Sequence, residues 1–447
     1  GEGRESMLSK EENELLCRVS QGTPMGELFR RFWLPALLSN EVPVPESPPV
    51  RMRLLGEDLV GFRDTTGRVG ILEAYCAHKL AQLFWGRNEE CGLRCAYHGW
   101  KYDVHGNCVD MPNEPEESRF KDKIKLRAYP TREQAGAVWV YMGPAAKQPA
   151  ELPQMEWVRA PAGYQHVTRW LQRTNWAQGM EGEIDSSHTS FLHFGRGAGQ
   201  TGLAPRYNRL VNPTVKNTVF QRARQDGAPL FSLRETSYGF TYGARRRSGE
   251  GEYYWRVTRW LYPFYSLIPA AGGRAWVPID DEHTWTFAYD NLVDRRFNDE
   301  ECAEIVEGAT FPPRITRGTY QLKDGYIIDT WLPVANRDND YLIDQEMKRT
   351  VNYTGIWGIN EQDRSIQESM GQIVDRAREH LGTTDVATIA ARRLLINMAQ
   401  NLQHGVEPEI LGDVDAYRVH AMEVVTPIDN FDELLLAHDA ELGAARV

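Results

Sequence analysis

Hydrophobic and polar positions divide the chain into segments of different periodicity. Over residues 11–31 the apolar positions recur at helical multiples, which predicts an amphipathic helical start. From residue 50 to about residue 142 the pattern changes to short β-rich runs that Gly, Asp and Asn interrupt. The predicted strands are residues 51–55, 59–63, 69–72, 123–128 and 137–141. We therefore expect this stretch to form an antiparallel all-β unit.

A linker rich in Gly, Ala and Pro over residues 143–149 separates this unit from a second one. Beyond the linker, strand-like runs alternate with helical runs. The predicted strands are residues 215–223, 230–244, 253–262 and 284–292, and the predicted helices are residues 176–192, 363–380 and 385–402. The second unit is thus predicted to be α+β with a substantial antiparallel sheet.

Composition narrows the class of protein. The 447 residues include 51 Lys and Arg against 62 Asp and Glu, a formal net charge of −11, which argues against a nucleic-acid or anionic-membrane binder. Six cysteines are too few for a disulfide framework. Neither a run of 18 apolar residues nor the apolar region of a signal peptide is present, so we expect a cytoplasmic protein.

Two short Cys/His motifs lie in the predicted β unit. Cys76 and His78 are separated by one residue, and Cys95 and His98 follow after a gap of sixteen residues. Two Cys and two His at such spacing are typical of a structural zinc site. The same ligand types also hold a [2Fe–2S] cluster that has both histidines on one iron. Spacing alone leaves the two interpretations open.

The residues after the second motif carry a family resemblance. Residues 99–108 read Gly-Trp-Lys-Tyr-Asp-Val-His-Gly-Asn-Cys. Together with the preceding Cys-Ala-Tyr-His, this segment resembles the second box of the Rieske oxygenases, specifically the phthalate-dioxygenase-like large subunits. The first box departs from the family's Cys-Pro-His-Arg-Gly at Ala77, Lys79 and Leu80. Leu80, in place of a loop glycine, is expected to alter the packing or exposure of the cluster. The resemblance implies that a [2Fe–2S] cluster is held by Cys76, His78, Cys95 and His98.

A second metal motif lies in the predicted helix over residues 176–192. Asp185 precedes His188 by three residues, and His193 follows five residues later. On a straight helix the two histidines would lie about 140° apart, so their convergence on one ion requires a break or a widening. Two imidazoles and a carboxylate form the facial triad of non-haem Fe(II). In the family this motif supplies both histidine ligands.

The resemblance places the third iron ligand in the predicted helix that begins near residue 363. In the family the ligating Asp follows an aromatic residue and precedes a Glu by five positions, a spacing that Asp363 and Glu368 match. Glu361 is the alternative carboxylate, and Asp363 alternatively caps the helix. We predict that Asp363 is the ligand.

Asp185 has a different predicted role. In relatives it hydrogen-bonds one iron-bound histidine and, across a subunit boundary, a histidine of the neighbour's cluster. Here the resemblance implies that Asp185 links His188 to His98 of the adjacent chain. A contact between two different surface patches is heterologous, so the resemblance also implies a head-to-tail ring, either a trimer or a stacked hexamer. Glu181 departs from the amide that several relatives have nearby, and the sequence leaves its role open.

Residues 197–202 match the G-x-G-x-x-G pattern but follow the His193 segment rather than a strand. A dinucleotide site needs a strand before the glycines and a helix after them. We therefore predict a loop at the mouth of the iron site and expect NAD(P)H to be oxidised on a separate flavin- or ferredoxin-type reductase.

The region between residues 194 and 280 is locally basic, with 13 basic residues against 5 acidic ones. Arg binds carboxylates in a bidentate manner, so the excess favours an anionic substrate. The alternative is a docking patch for the reductase, which residues 245–247 fit because they are expected in a hairpin turn. Arg256 shares a predicted strand face with Tyr254, Thr258 and Trp260, and is the candidate contact for an aromatic carboxylate.

These inferences combine into one architecture and function. The predicted divisions are an N-terminal helical segment (1–30), an all-β Rieske [2Fe–2S] domain (31–147) and an α+β catalytic domain (148–447) with a helix-grip, START-like sheet. The resemblance implies an oxidoreductase, the terminal oxygenase that uses O₂ and reductase electrons to hydroxylate or dihydroxylate an aromatic carboxylate such as a phthalate, phenoxybenzoate or chlorobenzoate. Alternatives are a Rieske monooxygenase that demethylates or hydroxylates a larger substrate, and a non-catalytic zinc-containing ligand-binding protein.

Overall fold

The predicted N-terminal helical segment forms as two short helices. The computed structural model describes residues 7–193, 226–269, 272–308 and 311–439. Helix α1 (Lys10–Cys17) begins with a capping box in which Ser9 accepts from the backbone of Glu12. Helix α2 (Pro24–Phe29) has Pro at its first position, where the missing N–H has no intrahelical partner to lose.

The predicted all-β unit consists of three small antiparallel sheets, which confirms the prediction. Their orders are β1-β11-β10, β2-β3-β4-β9 and β5-β6-β7-β8. The strands are β1 (Trp33–Leu38), β2 (Val50–Leu54), β3 (Glu57–Arg63), β4 (Val69–Glu73), β5 (Arg87–Glu89), β6 (Gly92–Arg94), β7 (Lys101–Tyr102), β8 (Cys108–Asp110), β9 (Ala128–Tyr129), β10 (Thr131–Gln134) and β11 (Ala137–Tyr141).

The strand predicted over residues 123–128 does not form as one element. Leu126 donates its N–H to the carbonyl of Gly106, whereas the carbonyl of Arg127 accepts from Glu73 in β4. The segment therefore bonds first to the turn between β7 and β8 and then to β4, and only β9 pairs as a strand.

A separate hydrophobic core surrounds the Cys/His motifs. Its buried members all come from residues 60–126 and include Phe62, Leu93, Trp100, and the two cysteines Cys76 and Cys95. We call this the clip core, because it encloses the first clip (residues 76–81) and the second clip (residues 95–100). The main core joins the N-terminal helices to the second unit.

An antiparallel sheet of eight strands dominates the second unit, as predicted. Its order is β12-β18-β17-β16-β15-β14-β13, and β21 pairs with β15. The strands are β12 (Gln165–Gln172), β13 (Leu230–Thr236), β14 (Gly239–Arg247), β15 (Tyr253–Leu261), β16 (Tyr265–Ile268), β17 (Gly272–Pro278), β18 (Thr284–Asn291) and β21 (Met422–Thr426); β19 (Ile315–Gln321) and β20 (Ile327–Pro333) form a separate hairpin.

Two strand predictions in this sheet need correction. The strand predicted over residues 230–244 divides into β13 and β14, because the chain turns before Gly239, whose φ is +140°. Residues 245–247 do not form the hairpin turn; they end β14 and stay paired with β15 as far as Tyr253. The turn instead spans residues 248–252. The strand predicted over residues 215–223 lies outside the described residues.

The helices of the second unit lie on and around this sheet. Those within the described residues are α3 (Glu156–Arg159), α4 (Trp176–Ile184), α5 (Asp299–Val306), α6 (Gln345–Thr350), α7 (Ile359–Ser369), α8 (Val386–Gln403) and α9 (Phe431–Ala437). The helix predicted over residues 363–380 is thus wrong at both ends, whereas α8 matches its prediction closely. Across the described ranges, no helix combines the length and apolar character needed to span a bilayer.

Candidate functional site

The two clips repeat one backbone pattern. Leu80 donates its N–H to the carbonyl of Cys76 at 3.0 Å, and Gly99 donates its N–H to the carbonyl of Cys95 at 3.0 Å. Both cysteines are buried in the clip core, whereas the histidines that follow them are half-buried. Each clip therefore presents a thiol inward and an imidazole toward the surface.

The donor set fits a two-iron cluster better than a single zinc ion. The rings of His78 and His98 meet edge to face with centroids 4.4 Å apart, and the His78 ring stacks on Trp100. One tetrahedral zinc ion would hold all four ligand atoms within about 4 Å of one another. In the described part of the chain, no three of these four residues bring their ligand atoms within 4.8 Å. Ligands spread over two irons satisfy this wider spacing.

Leu80 occupies the position that Gly99 occupies in the second clip. Both have a positive φ, +58° for Leu80 and +79° for Gly99, and the Leu80 side chain is 72% exposed. A non-glycine residue in this region costs about 1–2 kcal/mol. The first clip therefore keeps its turn despite the unusual residue and projects an apolar side chain into solvent beside the cluster ligands.

The helix predicted over residues 176–192 is wrong at its C-terminal end, because the chain breaks between Ile184 and His188. Helix α4 ends at Ile184, Asp185 has extended backbone, and a single 3₁₀ turn begins at His188. Asp185 Oδ1 accepts hydrogen bonds from the N–H and the hydroxyl of Ser187, at 2.7 and 2.5 Å. This local turn stops the helix and redirects the residues that follow.

Three side chains converge beyond this break. Asp363 Oδ1 lies 3.3 Å from His188 Nε2 and 3.0 Å from His193 Nε2, and the two Nε2 atoms are 3.2 Å apart. Three ligand atoms from two imidazoles and one carboxylate thus surround a common point, the donor set that a divalent iron triad requires. The sequence-predicted residues are therefore brought together.

Asp363 does not cap its helix, contrary to the alternative interpretation. Helix α7 begins at Ile359 with Gly358 as its N-cap, so Asp363 lies in the second turn. Glu361 folds back toward the helix start, where its Oε2 would lie 2.1 Å from a Cβ placed on Gly358. Glu361 lies outside the converging group. Glu368 binds the backbone N–H of Arg173 instead.

Each histidine of the group has a partner on its second ring nitrogen. His193 Nδ1 lies 2.7 Å from Gln362 Oε1, and Gln362 in turn donates to the carbonyl of Ile356 at 3.0 Å. His188 Nδ1 lies 3.5 Å from Asp185 Oδ2. Such contacts fix the tautomer and the ring orientation. Sequence reasoning missed Gln362, although an amide adjacent to the expected ligand was the available signal.

The charges around His188, His193 and Asp363 favour a positive charge at the point where these side chains converge. Burial alone would lower the pKa of His188, but hydrogen bonds and attraction to Asp185 and Asp363 raise it to about 10. Burial also opposes ionisation of both carboxyls, yet the histidines hold the pKa of Asp363 far below its usual range, and His188 holds that of Asp185 at about 2. Two ionised carboxylates beside two imidazoles stabilise a proton or a divalent cation at this point.

The face of the sheet that lies over this group carries two arginines. Ala244 is paired directly with Arg256, and Arg246 with Tyr254, so these four residues share one face. Arg256 is only 7% exposed, and buried Arg246 donates to the carbonyl of Ser186 at 2.8 Å. The interpretation of Arg246 as a turn residue in a reductase-docking patch is therefore wrong, because strand alternation directs it inward.

The Glu181 side chain lies on the side of α4 that faces Arg376 and Arg392, away from the converging group. Its carboxylate pairs with Arg376 at 3.0 Å and with Arg392 at 2.8 Å. Burial opposes ionisation, but these two guanidinium groups hold the pKa of Glu181 at about 2. Arg376 also lies 3.2 Å from Cys17 Sγ, so the network joins α4 to α1 and α8. The Gly-rich residues 197–202 and the basic residues between 196 and 224 lie outside the described residues.

Family models match most of the chain. The Rieske [2Fe-2S] domain model matches residues 32–130, and the model described as LigXa C-terminal domain like matches residues 140–428. The 3-chlorobenzoate-3,4-dioxygenase oxygenase subunit of Comamonas testosteroni is 37% identical over 424 residues, which covers 92% of this chain and 93% of that protein. The phthalate 4,5-dioxygenase oxygenase subunit of Pseudomonas putida is 39% identical over 419 residues, 89% of this chain and 88% of that protein.

A solved structure shares the fold at lower identity. The crystal structure of dicamba monooxygenase bound to dicamba aligns with a TM-score of 0.55 and 16% identity, covering 84% of this chain and 99% of that one. The converging His/His/Asp group, the paired clips and the two curated relatives point to the same class of protein. The chain belongs to the Rieske non-haem iron oxygenases, and within them to the phthalate 4,5-dioxygenase-like family of large subunits.

Proposed function

We propose that this oxidoreductase is a terminal oxygenase that uses O₂ and electrons from an NAD(P)H-dependent reductase to hydroxylate or dihydroxylate an aromatic carboxylate. The observation that carries the proposal is the convergence of His188, His193 and Asp363 beneath a sheet face that presents Arg246 and Arg256. When bound, a Rieske cluster relays single electrons and a mononuclear ferrous ion activates O₂. In this proposal the cluster is held by Cys76, His78, Cys95 and His98, and the iron by His188, His193 and Asp363.

Arg256 is the proposed contact for the substrate carboxylate. Its Nε is buried and has no hydrogen-bond acceptor in the described part of the chain. A buried guanidinium without an acceptor is costly, and a carboxylate is its best bidentate partner. The names of the two curated relatives include 3-chlorobenzoate and phthalate, both aromatic carboxylates. These observations support an aromatic acid as the substrate.

Turnover of a panel of aromatic acids tests the proposed function. With a cognate reductase, we expect at least one aromatic acid to stimulate both NADH oxidation and O₂ consumption. Arg256→Met should raise KM for that acid at least about tenfold, because a charged hydrogen bond is lost. Arg247→Met is the matched control, since exposed Arg247 lies on the opposite strand face. Equal stimulation by uncharged aromatic compounds, or an unchanged KM in Arg256→Met, would contradict the proposal.

His98→Ala tests the cluster assignment. Loss of one imidazole leaves an iron under-coordinated, so we expect the red-brown colour and the Rieske EPR signal to disappear or change type. Exposed His105 lies in the same unit outside the clips, and His105→Ala should leave both signals intact. An unchanged EPR spectrum in His98→Ala would remove this residue from the ligand set.

We also propose that subunits assemble head to tail, as a trimer or a stacked hexamer, and that Asp185 connects the iron site with His98 of the adjacent chain. Two different sets of exposed apolar side chains support a heterologous contact. The first set lies in the clips or shortly after the first clip and consists of Leu80, Trp85 and Tyr97. The second set lies near the iron group and consists of Phe191, Tyr353 and Trp357. Asp185 is itself only half-buried, so a neighbouring chain has access to its carboxylate.

A further inference from the structure

Glu183 faces the sheet from the last turn of α4. At residue 179, one helical turn earlier, an added Cβ would lie 2.3 Å from Trp276 Nε1 of β17, so this side of α4 contacts the sheet. Residues four apart share a helix face. The Glu183 carboxyl is therefore directed toward the interior space between α4, the sheet and the iron group, and its charge is coupled to those of Arg256 and Asp363.

Glu183 is half-buried as a residue, and one oxygen of its carboxyl, Oε1, is fully buried. No donor among the described residues reaches its Oε1, and the Nε of Arg256 on the facing strand likewise has no acceptor there. Glu181, two residues earlier, is instead bound by two arginines. Burial raises the pKa of Glu183, while the charges of Arg274 and Arg256 act to lower it. A buried carboxyl oxygen without a donor carries a large desolvation penalty, which a bound ligand relieves.

We propose that Glu183 is a specificity-determining residue that accepts a hydrogen bond from a hydroxyl or amino group on the ring of the substrate, while the substrate carboxylate binds Arg256. The inference rests on the proposed function and narrows its substrate class to aromatic acids with a ring donor. A single ligand with a carboxylate at one end and a hydrogen-bond donor at the other supplies an acceptor to Arg256 Nε and a donor to Glu183 Oε1. A benzenedicarboxylate brings no donor to Glu183 and places a second carboxylate against it, so dicarboxylates are selected against.

Equilibrium binding separates these ligand classes. The holoprotein, kept anaerobic, is titrated calorimetrically with benzoate, the hydroxybenzoates, the aminobenzoates and the benzenedicarboxylates. At least one hydroxy- or aminobenzoate should bind about tenfold or more tightly than benzoate and every dicarboxylate, the range for a hydrogen bond to a charged group. Glu183→Leu should abolish this preference. Glu183→Gln should bind dicarboxylates more tightly than the wild type does, because its amide donates to a carboxylate.

Glu181→Gln is the control on the same helix. It disrupts the ion pairs with Arg376 and Arg392, so we expect a lower Tm but an unchanged ranking of ligands. The cluster spectrum and iron content of each variant report an intact fold. If aromatic acids bind, Arg256→Met weakens them, and Glu183→Leu and Glu183→Gln rank them as the wild type does, the inference is overturned while the proposed function stands. If no aromatic acid binds the wild type, both are overturned.

Discussion

Asp185→Asn is expected to reduce turnover at least about 100-fold while both metal sites stay occupied. Neither site loses a proposed ligand, and the amide oxygen still accepts a hydrogen bond from Ser187. The neutral amide nevertheless cannot stabilise a protonated imidazole, so the link between His188 and the neighbour's His98 is lost. Metal analysis should give wild-type iron content. Stopped-flow measurement with substrate and O₂ should find the reduced cluster oxidised far more slowly than in the wild type.

Mixed oligomers test whether this link is intermolecular. Asp185→Asn chains keep an intact cluster, and His98→Ala chains keep an intact Asp185 and iron site. Rings that contain both kinds of chain should recover partial activity, although each parent has almost none, because cluster and acceptor then come from different molecules. Wild-type transfer rates in Asp185→Asn, or full activity from a demonstrably monomeric protein, would refute the bridge.

Asp363→Ala is expected to lose the mononuclear iron and all measurable oxygenation. Among the described residues, Asp363 alone supplies a carboxylate oxygen within 3.3 Å of both His188 Nε2 and His193 Nε2, so its removal leaves two neutral ligands. The clip core is formed by other residues, and the Rieske EPR signal should therefore persist. Metal analysis should find only the two irons of the cluster.

Glu361→Ala is the matched control for Asp363→Ala, because Glu361 lies in the same helix but outside the converging group. It should retain the mononuclear iron. Full iron occupancy in Asp363→Ala would show that another residue supplies the third ligand.

The ligands that lie close together in the sequence were the most predictable part of the site. Cys76 and His78, like Cys95 and His98, are near neighbours on a single turn, so their spacing in the sequence reflects their geometry directly. Helix geometry also required a break or a widening for His188 and His193 to converge, but it did not give the position, and the predicted helix ran to residue 192 whereas α4 ends at Ile184. Asp363 lies 170 residues after His193, and only the family resemblance indicated it.

Features set by tertiary pairing were harder to predict. Three consecutive arginines suggested a polar turn, yet the register between β14 and β15 extends the strand through Arg247 and buries Arg246. Glu183 gave no signal in the sequence, because an acidic residue in a helix is ordinarily solvent-exposed. Its orientation depends on the close packing of Gly179 against Trp276, which only the folded sheet provides.

The residues that form the two metal centres are synthesised at different times during translation. All of its buried residues have been synthesised by residue 126, whereas the iron triad is incomplete until residue 363 has been added. At about 5–20 residues per second, the ribosome needs about 10–50 s to cover the difference. The residues of the clip core are therefore available to fold on the nascent chain well before the carboxylate of the triad has been synthesised.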